Sequence, residues 1–178
     1  MVFEELDHHN GSIYCVDWSR TSRLVATGSN DKMIKIIVTP NFEENDGEQK
    51  DILQMELKGH KAIVRTVCFN PLDPTVLLSG GLMENDVKVW DTEKGINVAN
   101  LQGHQGNIYS IKSSYDGSYA ISVGTDKMVK IWDIRCKKYV DQMDGHQFSE
   151  MNEICLNSHG NYEMDDQLTP SLRLKLQQ

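Results

Sequence analysis

The sequence contains no run of apolar residues long enough to cross a membrane, and its opening stretch, MVFEELDHHN, lacks the hydrophobic segment of a signal peptide. These two absences predict neither a membrane span nor a secretory route. We therefore expect a cytoplasmic protein, with the nucleus left open as the alternative location.

Basic residues are also scarce: 18 Lys and Arg stand against 26 Asp and Glu, which gives a net charge of −8. Nucleic-acid backbones and anionic membranes repel such a charge, so neither is expected as a partner. The four cysteines include no Cys-x-x-Cys pair and no group with zinc-ligand spacing. They are predicted to be reduced thiols, and no metal site is expected.

Motifs that carry catalytic chemistry are missing as well. The sequence has no Gly-x-Ser-x-Gly turn for a nucleophile, no Gly-rich phosphate loop and no His-Glu-x-x-His pair. We predict that the chain is not an enzyme and binds no cofactor.

One repeated pattern stands out against these absences. Gly-His occurs at residues 59–60, 103–104 and 145–146, so the histidines are 44 and 42 residues apart. Trp-Asp occurs at residues 90–91 and 132–133, again 42 residues apart. A period of about 40–45 residues between such dipeptides is typical of the four-stranded blades of β-propellers.

On these residues the chain resembles the WD-repeat (β-transducin-like) family of propellers. The resemblance implies an all-β fold, a partial β-propeller of about three and a half four-stranded antiparallel blades. The predicted blades are residues 1–58, 59–102 and 103–147, and residues 148–178 begin a fourth blade with a divergent tail. So few blades cannot close a ring, so we expect either self-association that completes the propeller or a fragment of a longer protein.

Blades of this family are held by a buried set of a histidine, a Ser or Thr, a turn carboxylate and a tryptophan. Such polar groups are costly to bury unless each finds a partner, so all are predicted to be structural. Blade one has Ile37-Val38 in place of Trp-Asp, and in blade two either Glu84 or Asp86 supplies the carboxylate. The matching residues are His9, Thr27 and Asp31 in blade one, His60, Ser79 and Trp90 in blade two, and His104, Ser122, Asp126 and Trp132 in blade three.

The resemblance also implies a binding surface. In the family, the side chain five residues after the histidine and the one before the turn carboxylate project at the upper entrance of the central channel. The corresponding residues here are Tyr14, Asn30, Arg65, Tyr109 and Thr125. Tyr and Arg are enriched at binding hot spots, so this face is predicted to contact a protein or peptide.

Two functions of different classes follow from the resemblance. The first is a protein-interaction scaffold with a cytoskeletal role, because the segment FEELDHHNGSIYCVDWS is similar to the first propeller repeat of microtubule-associated members of the family. The alternative is a substrate-receptor subunit of a cullin-type ubiquitin ligase. Residues Trp132 to Arg135 fit the Trp-Asp-x-Arg signature of such receptors, and Arg135 would then contact the ligase adaptor.

Overall fold

The structure is a computed structural model, and it describes residues 8–21, 23–39 and 54–144. The third Gly-His pair and the predicted fourth blade at 148–178 lie outside these residues.

The described residues form β-strands joined by turns. The strands are Ile13–Trp18 (β1), Leu24–Ser29 (β2), Met33–Val38 (β3), Gln54–Lys58 (β4), Val64–Phe69 (β5), Val76–Gly81 (β6), Asp86–Asp91 (β7), Ile96–Gln102 (β8), Ile108–Ser113 (β9), Tyr119–Gly124 (β10), Met128–Asp133 (β11) and Lys138–Asp144 (β12).

These strands pair in chain order into three sheets, β1 to β4, β5 to β8 and β9 to β12, and every pairing is antiparallel. Each sheet is one blade, and we number the blades one to three. The arrangement confirms the predicted all-β class and the partial propeller. Within each blade, the turn between the second and third strands lies at one end of the sheet, called here the upper end.

A β-bulge near the start of each first strand sets which side chains face the neighbouring blade. In β5 the register shifts between Val64 and Thr66. A strand normally alternates its side chains, but the extra residue places Val64, Val67 and Phe69 on the same buried face. β1 carries the same shift between Ile13 and Cys15.

Two apolar cores lie between consecutive blades. In the first, Ala26, Ile34, Ile36 and Leu57 of blade one pack with Val64, Val67, Phe69, Leu77 and Trp90 of blade two. In the second, Cys68, Leu78, Val87, Val89 and Leu101 of blade two pack with Ile108, Ile111, Ala120, Trp132 and Ile134 of blade three. Burial of each large side chain contributes about 1.5–3 kcal/mol, so the blades stabilise one another.

Polar contacts add to these cores. The backbone N–H of Phe69 in β5 donates to Asp17 Oδ2 of β1 at 2.7 Å. At the lower end, the Asn70 side-chain amide donates to the carbonyl of Gly117 at 2.8 Å. Gly117 has φ +66°, and a Cβ there would lie 2.4 Å from Asn70 Oδ1, so the predicted Asp116-Gly117 turn needs glycine for both conformation and space.

The first strand of blade one differs from its counterparts. Ile13, Val16 and Trp18 occupy the positions of Val64, Val67 and Phe69, yet they are 51%, 59% and 55% exposed. Among the described residues no blade packs on this face. It is an apolar sheet face of the kind that marks an interaction surface.

Candidate protein-interaction site

The blade-three hydrogen-bond set connects four side chains from four parts of the repeat. The indole Nε1–H of Trp132 donates to Ser122 Oγ at 2.8 Å, and Ser122 Oγ lies 2.6 Å from His104 Nε2. His104 Nδ1 lies 2.8 Å from Asp126 Oδ2. An ionised carboxylate only accepts, so Nδ1 carries the proton, Nε2 accepts from the serine, and every polar group is satisfied.

The protonation states agree with this assignment. Burial lowers the pKa of His104 despite the opposing effect of Asp126, so the imidazole is neutral. Burial opposes ionisation of Asp126, but the backbone N–H of Gln105 and the His104 ring together lower the pKa of that carboxyl. The chain from indole to carboxylate therefore needs no buried cation.

Blade two contains the same chain, with Glu84 rather than Asp86 as the carboxylate. Trp90 Nε1–H donates to Ser79 Oγ at 2.7 Å, and Ser79 Oγ lies 2.6 Å from His60 Nε2. His60 Nδ1 donates to Glu84, which also accepts from the backbone N–H of Lys61. Burial opposes ionisation of Glu84, but its bonds to His60 and Lys61 lower its pKa.

A count along the sequence distinguishes the two candidates. Asp126 stands six residues before Trp132, and Glu84 stands six before Trp90. The extra residue in the turn therefore precedes Glu84. This assignment adds a residue that the sequence prediction missed: Met83, directly before the carboxylate, is the counterpart of Asn30 and Thr125 and is 84% exposed.

Blade one has the histidine, hydroxyl and carboxylate but a different donor in place of the indole. His9 Nδ1 lies 2.8 Å from Asp31 Oδ2, and His9 Nε2 lies 2.9 Å from Thr27 Oγ1. The Nε2 atom of His8 lies 2.8 Å from the same hydroxyl. Asp31 holds the His9 proton on Nδ1, so His9 Nε2 at 2.9 Å accepts the Thr27 proton in preference to the more distant Lys35 carbonyl at 3.3 Å. His8 therefore donates to Thr27, and its imidazole replaces the indole N–H.

Each carboxylate ties the loop entering its blade to the upper turn. Asp31, Glu84 and Asp126 accept the backbone N–H groups of Asn10, Lys61 and Gln105 respectively. We call the six side chains held at the upper ends the upper rim. They are Tyr14 and Asn30, Arg65 and Met83, and Tyr109 and Thr125.

The structure brings three of the predicted rim residues together. The Arg65 guanidinium carbon lies 5.5 Å from the centroid of the Tyr14 ring and 6.0 Å from that of Tyr109. Both are cation–π distances. Residues from three blades thus meet at a single half-buried arginine.

The other rim residues are held in their turns. Asn107 Oδ1 accepts the backbone N–H of Met83 at 2.7 Å, which links Met83 to the loop leading to Tyr109. Thr125 Oγ1 accepts the backbone N–H of Asn107 at 2.9 Å, and the backbone N–H of Asn30 donates to Ser12 O at 3.1 Å. No described contact joins Asn30 or Thr125 to Arg65.

Arg135 lies away from this rim. It is exposed in the turn between β11 and β12, at the opposite end of the sheet from Asp126. The turn is held by Asp133 Oδ1, which accepts the backbone N–H of Cys136 at 2.7 Å. Any partner bound by Arg135 would approach the lower end of the blade.

Three cysteines and no membrane-spanning helix are found in the part of the chain that the structure describes. Over residues 8–21, 23–39 and 54–144, Cys15, Cys68 and Cys136 are free thiols. Burial raises the pKa of both Cys15 and Cys68 to about 12, which keeps them protonated. No helix in these same ranges is long and apolar enough to span a membrane.

Fold and site together define a repeat-built β-propeller segment, in which each blade is closed by a hydrogen-bonded histidine. The family model described as "WD domain, G-beta repeat" matches residues 2–37, 52–91 and 95–133. The chain belongs to the WD40 repeat family.

Similar proteins carry the same repeats in longer chains. Protein tipD of Dictyostelium discoideum is 33% identical over 71% of this chain and 19% of its own length. A coronin-like protein of Saccharomyces cerevisiae is 34% identical over 68% of this chain and 20% of its own. Nuclear distribution protein PAC1 of Komagataella phaffii is 27% identical over 80% of this chain and 31% of its own length. The chain spans a fifth to a third of the length of these relatives.

Proposed function

We propose that the chain is a non-enzymatic, cytoplasmic scaffold that binds proteins or peptides through its upper rim and associates with the cytoskeleton. The observation that carries the proposal is the cluster of Arg65 with Tyr14 and Tyr109, because Arg and Tyr dominate protein-binding hot spots. The interacting unit is the set of three repeats over residues 1–147.

Sequence similarity supports the cytoskeletal part. The first repeat is similar to that of nemitin, a microtubule-associated member of the family. Relatives of the whole region include a coronin-like protein and nuclear distribution proteins.

Pelleting of the purified chain with microtubules, and separately with actin filaments, tests the proposal. We expect saturable co-sedimentation with one filament, reduced by Arg65→Ala. Arg135→Ala is the matched control, because it removes an exposed arginine from the lower end. If neither filament carries the chain into the pellet, the cytoskeletal role is wrong.

The exposed Arg135 favours a second candidate, the substrate receptor of a cullin-type ubiquitin ligase. Its side chain is accessible, and the Asp133 bond to Cys136 fixes the turn that presents it. Pull-down with a purified cullin adaptor is the test, and Arg135→Ala should abolish capture. Lys137→Ala, which removes a basic side chain from the same turn, should leave capture intact. Failure of the unaltered chain to bind the adaptor would exclude this candidate.

Self-association is the remaining part of the proposal. The exposed β1 face is apolar, and a second copy that supplies missing blades would bury Ile13, Val16 and Trp18 by packing one of its blades on this face. Light scattering after size-exclusion chromatography should give a dimer mass that falls to monomer with Val16→Ser and Trp18→Ser together. Val140→Ser, an exposed valine on β12, is the control. A monomer mass for the unaltered chain would contradict dimerisation.

A further inference from the structure

Arg65 is a partly buried cation without an anionic partner in the part of the chain that the structure describes. The guanidinium contacts the faces of Tyr14 and Tyr109, and no described side chain or carbonyl accepts a hydrogen bond from it. Three other buried or half-buried lysines of the blades have polar partners. Lys35 meets Glu56 at 3.3 Å, Lys88 meets Asn100 at 3.4 Å, and Lys130 meets Gln142 at 2.5 Å.

The two rings make this arginine ready for a ligand. A guanidinium is planar and carries five N–H donors in a fork that matches a carboxylate in bidentate geometry. The cation–π contacts with two tyrosine rings restrict the side chain, and no described acceptor occupies the fork, so less rotamer entropy is lost on binding.

We propose that Arg65 binds the carboxylate of an aspartate or glutamate in a partner peptide, with Tyr14 and Tyr109 on either side of the ion pair. This inference rests on the proposed use of the upper rim for protein binding and names the chemistry that the rim selects. The exposed thioether of Met83, linked through Asn107 to the Tyr109 loop, offers an apolar contact for the residue beside the acid.

The charge of the rim favours a carboxylate over a phosphate. Arg65 is the single cation among the six rim residues, whereas phosphate recognition draws on clusters of arginines. Lys61 and Lys88 lie nearby in blade two, but they line a cleft of about 260 Å³ together with Glu84 and Asp86, so that cleft carries balanced charge. One free positive charge fits one singly charged carboxylate.

A random heptapeptide library displayed on phage provides the test. It is panned on the unaltered chain and on Arg65→Ala, with Arg135→Ala as control and thermal melting to check folding. We expect an acidic position to be enriched by the unaltered chain and by Arg135→Ala, but not by Arg65→Ala. Arg65→Lys, which keeps the charge without the fork, should enrich it weakly.

The selected peptide, fluorescein-labelled, is then titrated by anisotropy. Loss of one charge-assisted contact should weaken binding about 10- to 100-fold, whether through Arg65→Ala or through Glu→Gln in the peptide. The two changes together should weaken it no further.

Several outcomes would overturn the inference: no enriched peptide, enrichment without an acidic position, equal binding by Arg65→Ala, or tighter binding when phosphoserine replaces the acid. Enrichment of non-acidic peptides would leave the rim as a binding surface, so the carboxylate inference can fail while the scaffold stands. If acidic peptides are enriched but the chain does not pellet with either filament, the carboxylate inference stands and the cytoskeletal role is wrong.

Discussion

Blade one and blade three satisfy the same hydroxyl in different ways. In blade three Ser122 accepts the indole N–H of Trp132, and a glycine precedes the histidine. In blade one Thr27 accepts from His8, which stands in the glycine position, and Ile37 replaces the tryptophan. The histidine and the carboxylate are common to both.

The two departures in blade one compensate each other. A Cβ on Gly103 would lie 2.9 Å from Trp132 Cη2, and a Cβ on Gly59 would lie 3.2 Å from Trp90 Cη2. The indole therefore leaves little room for a side chain at the residue before the histidine. Where the indole is absent, a side chain fits there, and His8 both occupies the position and supplies the donor. The feature that the two blades share is a buried hydroxyl that receives a hydrogen bond, and the residue that donates this bond differs between them.

The largest difference should appear when the residue at the tryptophan position is truncated. Trp132 is fully buried, so Trp132→Ala should lower the free energy of unfolding by about 3–5 kcal/mol. Ile37 is only half-buried and makes no such hydrogen bond, so Ile37→Ala should cost about 1 kcal/mol. Urea unfolding followed by far-UV circular dichroism measures both. Equal losses would mean that the two blades do not differ in this way.

A smaller effect is expected from removal of the hydroxyl. Ser122→Ala leaves the Trp132 N–H and His104 Nε2 without partners in a buried site, which should cost about 2–3 kcal/mol. Thr27→Val keeps the side-chain shape, and the half-buried His8 can turn to water, so its cost should be lower. The same urea titrations compare them. A greater loss of unfolding free energy with Thr27→Val than with Ser122→Ala would contradict this expectation.

The compensation itself can be tested by adding a methyl group. Gly103→Ala should cost about 1–2 kcal/mol, because its Cβ would meet the buried ring of Trp132. Combined with Trp132→Ile, it should cost nearly nothing beyond the Trp132→Ile change alone. A double-mutant cycle on unfolding free energies gives the coupling. If the two losses in unfolding free energy simply add, the glycine does not depend on the indole, and the compensation proposed for blade one is wrong.

The sequence predicted the blades because Gly-His and Trp-Asp recur at one period and each blade buries its own polar set. It could not predict the role of His8. That role depends on two departures 29 residues apart, His8 and Ile37, and on the fold, which brings His8 to the Thr27 hydroxyl. Met83 was obscured by the longer turn, although counting back from Trp90 would have found it.

Contacts between distant blades were also outside the reach of sequence patterns. Arg20, in the lower hairpin of blade one, donates to the hydroxyl of Tyr115 in blade three at 2.8 Å, across 95 residues of sequence. The meeting of Arg65 with two tyrosines likewise depends on how the first strands are placed side by side. Periodicity identifies equivalent positions within blades but gives no distances between them.

Acid should produce the smallest effect and should separate the histidine of blade three from the carboxylates. Burial lowers the pKa of His104, so as pH falls this histidine is protonated in the unfolded chain before it is protonated in the folded chain. The stability contributed by the neutral buried ring is therefore complete above about pH 6.5 and is lost as pH falls from there through the lowered pKa. The pKa values of Asp31, Glu84 and Asp126 are also lowered, so their contribution is lost only below about pH 4.5. Urea midpoints measured from pH 8 downward should stay level and then fall in two stages. His104→Asn should remove the first stage and keep the second, and a first stage that survives this change would assign it to a group other than His104.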